Sequence, residues 1–243
     1  MKKSEATTPR LDMISQIAIV RAEEGGPIRT FVERGHRKPV GKFNSAKNGR
    51  AHPWEAVNER HLLWISEVDP KVVTYLAQPW RLEISLRGEQ RKLIYFPDLE
   101  RQIDTGSVEV IEVKKEIEEI CKDPQYAFKI KVARKACAAL GYKFRVLTPE
   151  NYIHGPRLEN AVSIKRDRNA ALTTADLLKF EEAMAAAGGT STWGGLVAAL
   201  SVDGDPFDGH ARRKLHALII RRLAAIDIDR RIRPTTLVRK IQR

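Results

Sequence analysis

The chain has 243 residues, enough for one large domain or two small ones, with 42% hydrophobic and 30% charged content of an ordinary globular kind. No run approaches membrane-spanning length and Met1-Lys2-Lys3-Ser4-Glu5 leads into no apolar leader, so a soluble intracellular protein with no membrane role is expected. The net charge of +12 is uneven: 11 Lys and Arg against 5 Asp and Glu in residues 1–54, 16 of each in 55–150, and 16 against 10 in 151–243, which suits acidic chemistry between flanks that grip phosphate.

In chain order, residues 1–53 are polar and broken by Gly25-Gly26-Pro27, Pro39 and Pro53, and read as a basic N-terminal arm. The stretch Arg34 to Arg50, with Lys42, Lys47 and Arg50 between glycines, is able to lie along a phosphate backbone. The other reading of the same stretch is a solvated tail. Trp54 to Glu67 carries Val57, Leu62, Leu63, Trp64 and Ile65, the pattern of a partly buried helix. Glu59 lies three and four residues before Leu62 and Leu63, so it shares their side of that helix. Val72–Leu76, Arg81–Leu86, Leu93–Leu99 and Val108–Lys114 read as strands, with Asp104-Thr105-Gly106 a turn. Pro124–Leu140 reads as a helix closed by Gly141, and Lys143–Leu147 as a last strand.

That order gives a compact α/β or α+β core over residues 54–154, a mixed sheet flanked by helices. Residues 155–243 form a second, helical domain. Thr173-x-x-Asp176 resembles a capping box, Trp193–Leu200 and Gly209–Ala225 follow as helices, and Ile226-Asp227-Ile228 as a short strand. Small units of this pattern include winged-helix and helix-turn-helix modules. Cys121 and Cys137 lack metal spacing and read as reduced thiols. The six histidines are scattered and read as structural or surface residues.

The chemistry concentrates in two short strings, Pro97-Asp98 and Glu112-Val113-Lys114. Residues two apart on a strand share a face, so Glu112 and Lys114 point the same way. A hairpin centred on Thr105 sets position 98 against position 112, placing Asp98 across from Glu112. Two carboxylates so close repel unless a cation lies between them. Oxygen ligands suit Mg²⁺ or Mn²⁺, and the Val113 carbonyl is a further donor. Glu59 is the natural third carboxylate, with Glu55, one turn earlier, its rival. Lys114 would orient a water or stabilise transition-state charge. The bland alternative for any isolated Glu-x-Lys is a charged surface strand. As a set, the groups suit metal-dependent hydrolysis of a phosphodiester.

The chain resembles the PD-(D/E)xK nuclease superfamily, and within it the TnsA endonuclease family of heteromeric transposons. The residues that carry the resemblance are Gly41-Lys42-Phe43-x-Ser45-x-Lys47, Trp54-Glu55-x-x-x-Glu59, Glu67-Val68-Asp69-Pro70-x-Val72-Val73, Gln78-Pro79, Phe96-Pro97-Asp98 and Glu112-Val113-Lys114, with Pro156-Arg157-Leu158-x-Asn160 beyond them. Leu99-Glu100-Arg101 and Lys115 depart from the usual pattern without removing a catalytic group. The resemblance implies a restriction-endonuclease-like core, Glu59, Asp98 and Glu112 as metal ligands, and Lys114 as the catalytic lysine. It implies a subunit that cuts the 5′ ends of a transposon in double-stranded DNA. A DDE-type transposase would handle the 3′ ends, and an AAA+ ATPase regulator would be a further partner. The expected setting is the bacterial cytoplasm, on the nucleoid when bound to DNA. A stand-alone restriction or repair nuclease, a junction resolvase and a non-catalytic DNA-binding assembly protein are the alternatives.

Overall fold

The computed structural model describes residues 13–28 and 39–242. Strand β1 (Ile14–Arg21) and the hairpin of β2 (Gly41–Ser45) and β3 (Arg50–Trp54) precede helix α1 (Val57–Val68). Five strands follow: β4 (Val72–Ala77), β5 (Trp80–Leu86), β6 (Leu93–Tyr95), β7 (Leu99–Ile103) and β8 (Val108–Val113). Next come α2 (Glu118–Lys122), α3 (Pro124–Ala139) and β9 (Lys143–Leu147). The rest of the chain is α4 (Gly155–Ile164), α5 (Thr174–Ala186), β10 (Thr190–Thr192), α6 (Trp193–Leu200), α7 (Gly209–Ile220), β11 (Ala224–Ala225) and β12 (Leu237–Lys240). No helix among the described residues is long and apolar enough to cross a membrane.

The central sheet runs β4-β7-β8-β9, antiparallel except for the parallel pair β8–β9. A parallel pair needs a crossover, and α3 supplies it. Successive residues of β8 feed opposite faces: Ile111 joins the core built on α1, and Val110 joins the core built on α3. Leu62, Leu63 and Ile65 of α1 are almost wholly buried, each worth about 2 kcal/mol of transfer free energy. This is the mixed α+β, restriction-endonuclease-like arrangement expected.

One expectation about the core strands changes. Leu93–Leu99 is not one strand: Leu93–Tyr95 pairs with β5 in a second sheet, of order β1-β5-β6, and β7 begins only at Leu99. Pro97 has no N–H for a ladder, and the chain changes sheets there. The hairpin register nevertheless stands, with Leu99 opposite Ile111 and Gln102 opposite Val108. Gly106, at φ +81°, makes the turn.

The residues 1–53 expected as an arm are largely folded where they are described. β1 edges the second sheet against β5, and β2 pairs with β3. Phe43 and Trp54 enter the α1 core. Gly41 faces Trp54 across the hairpin, and a Cβ there would lie 2.6 Å from the indole, so no larger residue fits. The basic run Arg34–Lys38 lies outside the described residues.

In the C-terminal unit, Thr173 and Asp176 form the expected reciprocal cap of α5. Helix α7 is shorter than expected: it stops at Ile220, and Arg222 at φ +55° turns the chain into β11. The strand expected at Ile226–Ile228 is displaced to Ala224–Ala225, while Ile226 and Ile228 pack inward beyond it. The small sheet has the order β10-β12-β11. This unit is not independent of the nuclease-like core. Its buried residues form one continuous cluster with those of α1 and β4. Arg222 Nε donates to the Pro70 carbonyl at 3.0 Å and Arg168 Nε to the Asn44 carbonyl at 2.9 Å, tying the two together.

Candidate active site

Asp98 stands just outside β7, with its backbone held from two sides. Its N–H donates to the Ile111 carbonyl at 3.0 Å, and its carbonyl accepts from the Gln78 N–H at 2.9 Å. Its Oδ2 accepts from the Val113 N–H at 2.6 Å. The paired strand ends therefore bring Asp98, Glu112 and Lys114 together, as the Thr105-centred register requires. Lys114 N–H donates to the Leu147 carbonyl of β9 at 3.0 Å, so the parallel neighbour fixes where the Glu-x-Lys ends.

Glu112 is 4% exposed and fully engaged. Tyr95 of β6 donates its hydroxyl to Oε2 at 2.6 Å, and Tyr126 of α3 donates to Oε1. Lys114 Nζ lies 2.8 Å from the same Oε1 and 4.7 Å from the Tyr126 ring centroid. Burial, and then the Glu112 charge, push both phenols above the usual tyrosine range, so they remain donors. Burial works against the Lys114 ammonium, but Glu112 beside it outweighs that and holds its pKa above the usual lysine range. The two tyrosines were not anticipated. They lie 17 and 14 residues from Glu112 on two other elements, and no local pattern marks them.

Glu59 sits in the first turn of α1 and its Oε2 reaches back to accept from the Glu55 N–H at 2.7 Å. Ala56 at the N-cap offers no side-chain oxygen, so the carboxylate takes over the capping. Glu59, Asp98 and Val113 line one small cleft with Pro53, Leu62 and Leu99. Glu55, the rival, turns elsewhere: its Oε1 accepts from Gln78 Nε2 at 3.1 Å. Gln78, at φ +45°, thus braces both Asp98 and the start of α1, and its Oε1 is buried with no hydrogen-bond partner among the described residues. It too was missed as a contributor to the site; the Gln78-Pro79 string was its only signal.

The electrostatics are those of crowded acids. Burial, then the charges of Glu112 and Glu59, push the Asp98 carboxyl well above the usual aspartate range. Burial, then Glu55 and Glu112, raise Glu59 against the pull of its backbone hydrogen bond. Among the described residues no three His, Cys, Asp or Glu side chains are drawn close enough together to chelate an ion. Each carboxylate is held instead by its own donors. The donor set fits a hard divalent cation: all ligating atoms would be oxygens, and two of the carboxylates carry charge that their neighbours disfavour.

Of the residues expected to grip DNA, Lys42 is exposed on β2, and Arg50 donates to the Gly25 carbonyl at 2.6 Å from an exposed position. Lys47 is turned inward. Its Nζ donates to the carbonyls of Ser66, Asp69 and Val72 at 2.8–2.9 Å, closing the C-terminal end of α1. Beside it, Glu67 is wholly buried and accepts from Ser45 Oγ, the Ala46 and Lys47 N–H groups and the Tyr75 hydroxyl. The strings around Ser45, Lys47, Glu67 and Asp69 thus form one buried clasp between β2 and α1.

Residues 69–149 match the family model described as TnsA-like endonuclease N terminal. The matched segment contains Asp98, Glu112 and Lys114 and begins ten residues after Glu59. No curated protein matches the chain.

Proposed function

From the premise that residues 69–149 are a TnsA-like endonuclease domain, we propose that the chain is a metal-dependent DNA endonuclease, one subunit of a heteromeric transposase that cuts the 5′ ends of its transposon. The observation that carries this reading is the convergence of Asp98, Glu112 and Lys114 on paired strand ends, with Glu59 delivered by α1 to the cleft that Asp98 and Val113 line.

Glu59, Asp98 and Glu112 would hold Mg²⁺ or Mn²⁺, with the Val113 carbonyl a further oxygen donor. Bound there, the ion supplies an activated water, a polarised phosphate and a neutralised leaving oxygen. The chain's own work is positioning. Tyr95 and Tyr126 fix the rotamer of Glu112, and the Val113 N–H fixes that of Asp98. Lys114 places an ammonium beside Glu112, where it donates to a phosphoryl oxygen and stabilises the extra negative charge of the transition state. In-line attack by water leaves a 3′-hydroxyl and a 5′-phosphate. The partners that this reading requires are transposon-end duplex, a DDE-type transposase and an AAA+ ATPase regulator.

The test is cleavage of a transposon-end duplex by the reconstituted complex with Mg²⁺, against EDTA. Asp98→Ala and Lys114→Ala should each abolish cutting and leave duplex binding intact. Persistent cleavage by both variants would refute the site. Robust cleavage by the wild-type chain alone would instead favour a stand-alone nuclease.

A further inference from the structure

We propose that the loop between β11 and β12, residues 226–236, is a second contact for the phosphate backbone of duplex DNA, and that it works in place of α7. The order α5, β10, α6, α7, β11, loop, β12, with strands arranged β10-β12-β11, is that of a winged-helix module whose wing is this loop. In such modules the third helix ordinarily enters a groove. Here only its first two turns, with Arg212 and Arg213, remain exposed. Leu215, His216, Ala217, Leu218, Ile219 and Ile220 are consecutive and all buried, so the helix beyond its first turns presents no face to solvent. His216 Nδ1 lies 2.6 Å from Asp167 Oδ2 and α7 packs against α4 within its own unit, while on its far side it packs against α1 of the core. The C-terminal half of the helix is spent on packing, which leaves the loop beyond β11 as the larger exposed basic surface of this unit.

The wing is left outside and is basic. Arg230, Arg231 and Arg233 of the loop and Arg239 of β12 surround one hollow together with Asp227, Thr235 and Thr236. Arg230 and Arg231 are 85% and 72% exposed, and their ion pairs with Asp227 and Glu159 are long, at 3.3 and 3.4 Å. Pairs so exposed are worth little and are readily exchanged for a phosphate. Arg233 and Arg239 have no carboxylate partner among the described residues. Planar guanidinium forks match phosphate oxygens two at a time, and four in one hollow repel each other until an anion enters. Leu237 is the one large apolar side chain in that lining, too few for the apolar centre that a protein partner would need.

The wing is also braced, as a preformed site requires. Asn160 Nδ2 donates to the carbonyls of Ile228 and Arg230 at 2.9 and 2.8 Å. Arg157 Nε holds Asp229 at 2.6 Å. From the other side, the Trp193 and Gly194 N–H groups at the start of α6 donate to the carbonyls of Thr236 and Pro234. The string Pro156-Arg157-Leu158-x-Asn160 thus mounts the wing on α4.

The experiment compares full-length chains carrying Asp98→Ala, so that the probe survives, for anisotropy binding to a labelled duplex of arbitrary sequence over a range of salt. Adding R230A, R231A, R233A and R239A should weaken binding about 100-fold near 0.1 M salt and lower the log–log salt slope by about 3 to 4. The melting temperature should hold. Adding R212A and H210A instead, in the first turn of α7, should cost no more than about threefold. Unchanged affinity and slope in the wing variant, or a larger loss from the α7 variant, overturns the proposal and leaves the arginines to a protein partner. Duplex DNA is chosen on the nuclease reading, but the two fail separately. A complex that cuts transposon ends while its wing variant binds DNA normally refutes only the wing.

Discussion

Glu67 and Glu112 are both almost wholly buried glutamates in the same half of the molecule, and their surroundings differ in kind. Glu67 is held by two backbone N–H groups and two hydroxyls on elements that pack against it. Glu112 is held by two phenols and an ammonium, with the charges of Asp98 and Glu59 close enough to disturb one another. The first arrangement lowers the cost of burying a charge and goes no further. The second keeps several charges in conflict, which stability alone would not select. Burial of an acid is therefore no mark of function, and on the proposed reading it is the repulsion between acids that sets Glu112 apart.

The largest expected effect breaks the comparison on the side of stability. Glu67→Ala strips four donors of their acceptor inside the core and should cost about 3–5 kcal/mol in urea unfolding. Next is the opposite case. Glu112→Gln keeps an acceptor for Tyr95 and relieves Asp98 and Glu59 of a neighbouring charge, but it also takes the carboxylate from Lys114, so the two effects largely offset and stability should change by no more than about 1 kcal/mol. Cleavage should fall by at least about 100-fold in the same variant. If Glu112→Gln unfolded as readily as Glu67→Ala, Glu112 would be a structural carboxylate and the distinction would collapse.

The Glu112 side of this contrast was legible in the sequence, for identifiable reasons. Asp104-Thr105-Gly106 fixes a hairpin centre, and the register then sets Asp98 against Glu112 by arithmetic alone. Glu59 follows from its three- and four-residue spacing to Leu62 and Leu63. Donors that come from afar left no trace: Tyr95 belongs to a different sheet, because the chain crosses over at Pro97, and Tyr126 to the crossover helix. Lys47 misled for a related reason. A lysine in a basic, glycine-punctuated stretch reads as a phosphate contact, and only the arrival of the Ser66, Asp69 and Val72 carbonyls turns it inward. The length of α7 was overestimated because Arg222, whose φ of +55° ends it, is an ordinary helix former by propensity.

A smaller effect tests whether the phenols matter to Glu112 as aiming devices. Tyr126→Phe removes one donor to Oε1 and leaves Lys114 in place. It should raise the Mg²⁺ concentration for half-maximal cleavage by about tenfold, with stability changed by less than about 1 kcal/mol. No change in metal dependence would mean that Lys114 and Tyr95 suffice to hold the carboxylate.

The smallest effect extends the structural class to a third buried acid, far from the cleft. Asp176 caps α5 with Thr173 and lies 2.7 Å from Lys214 Nζ. Burial alone would raise its pKa, but the Lys214 and Thr173 donors outweigh burial and hold it at about 2, below the 3.8 of a free aspartate. A carboxyl whose folded pKa is depressed adds stability above its unfolded pKa and loses it as pH falls through the folded one. Asp176→Asn should therefore cost about 1 kcal/mol at neutral pH, the usual worth of a cap with a charge partner. The difference from wild type should shrink below pH 4 and close near pH 2. Thermal melts of both proteins across that range decide it: a difference that persists at pH 2 would mean that the asparagine fails for reasons of shape, and that the charge of Asp176 does no structural work.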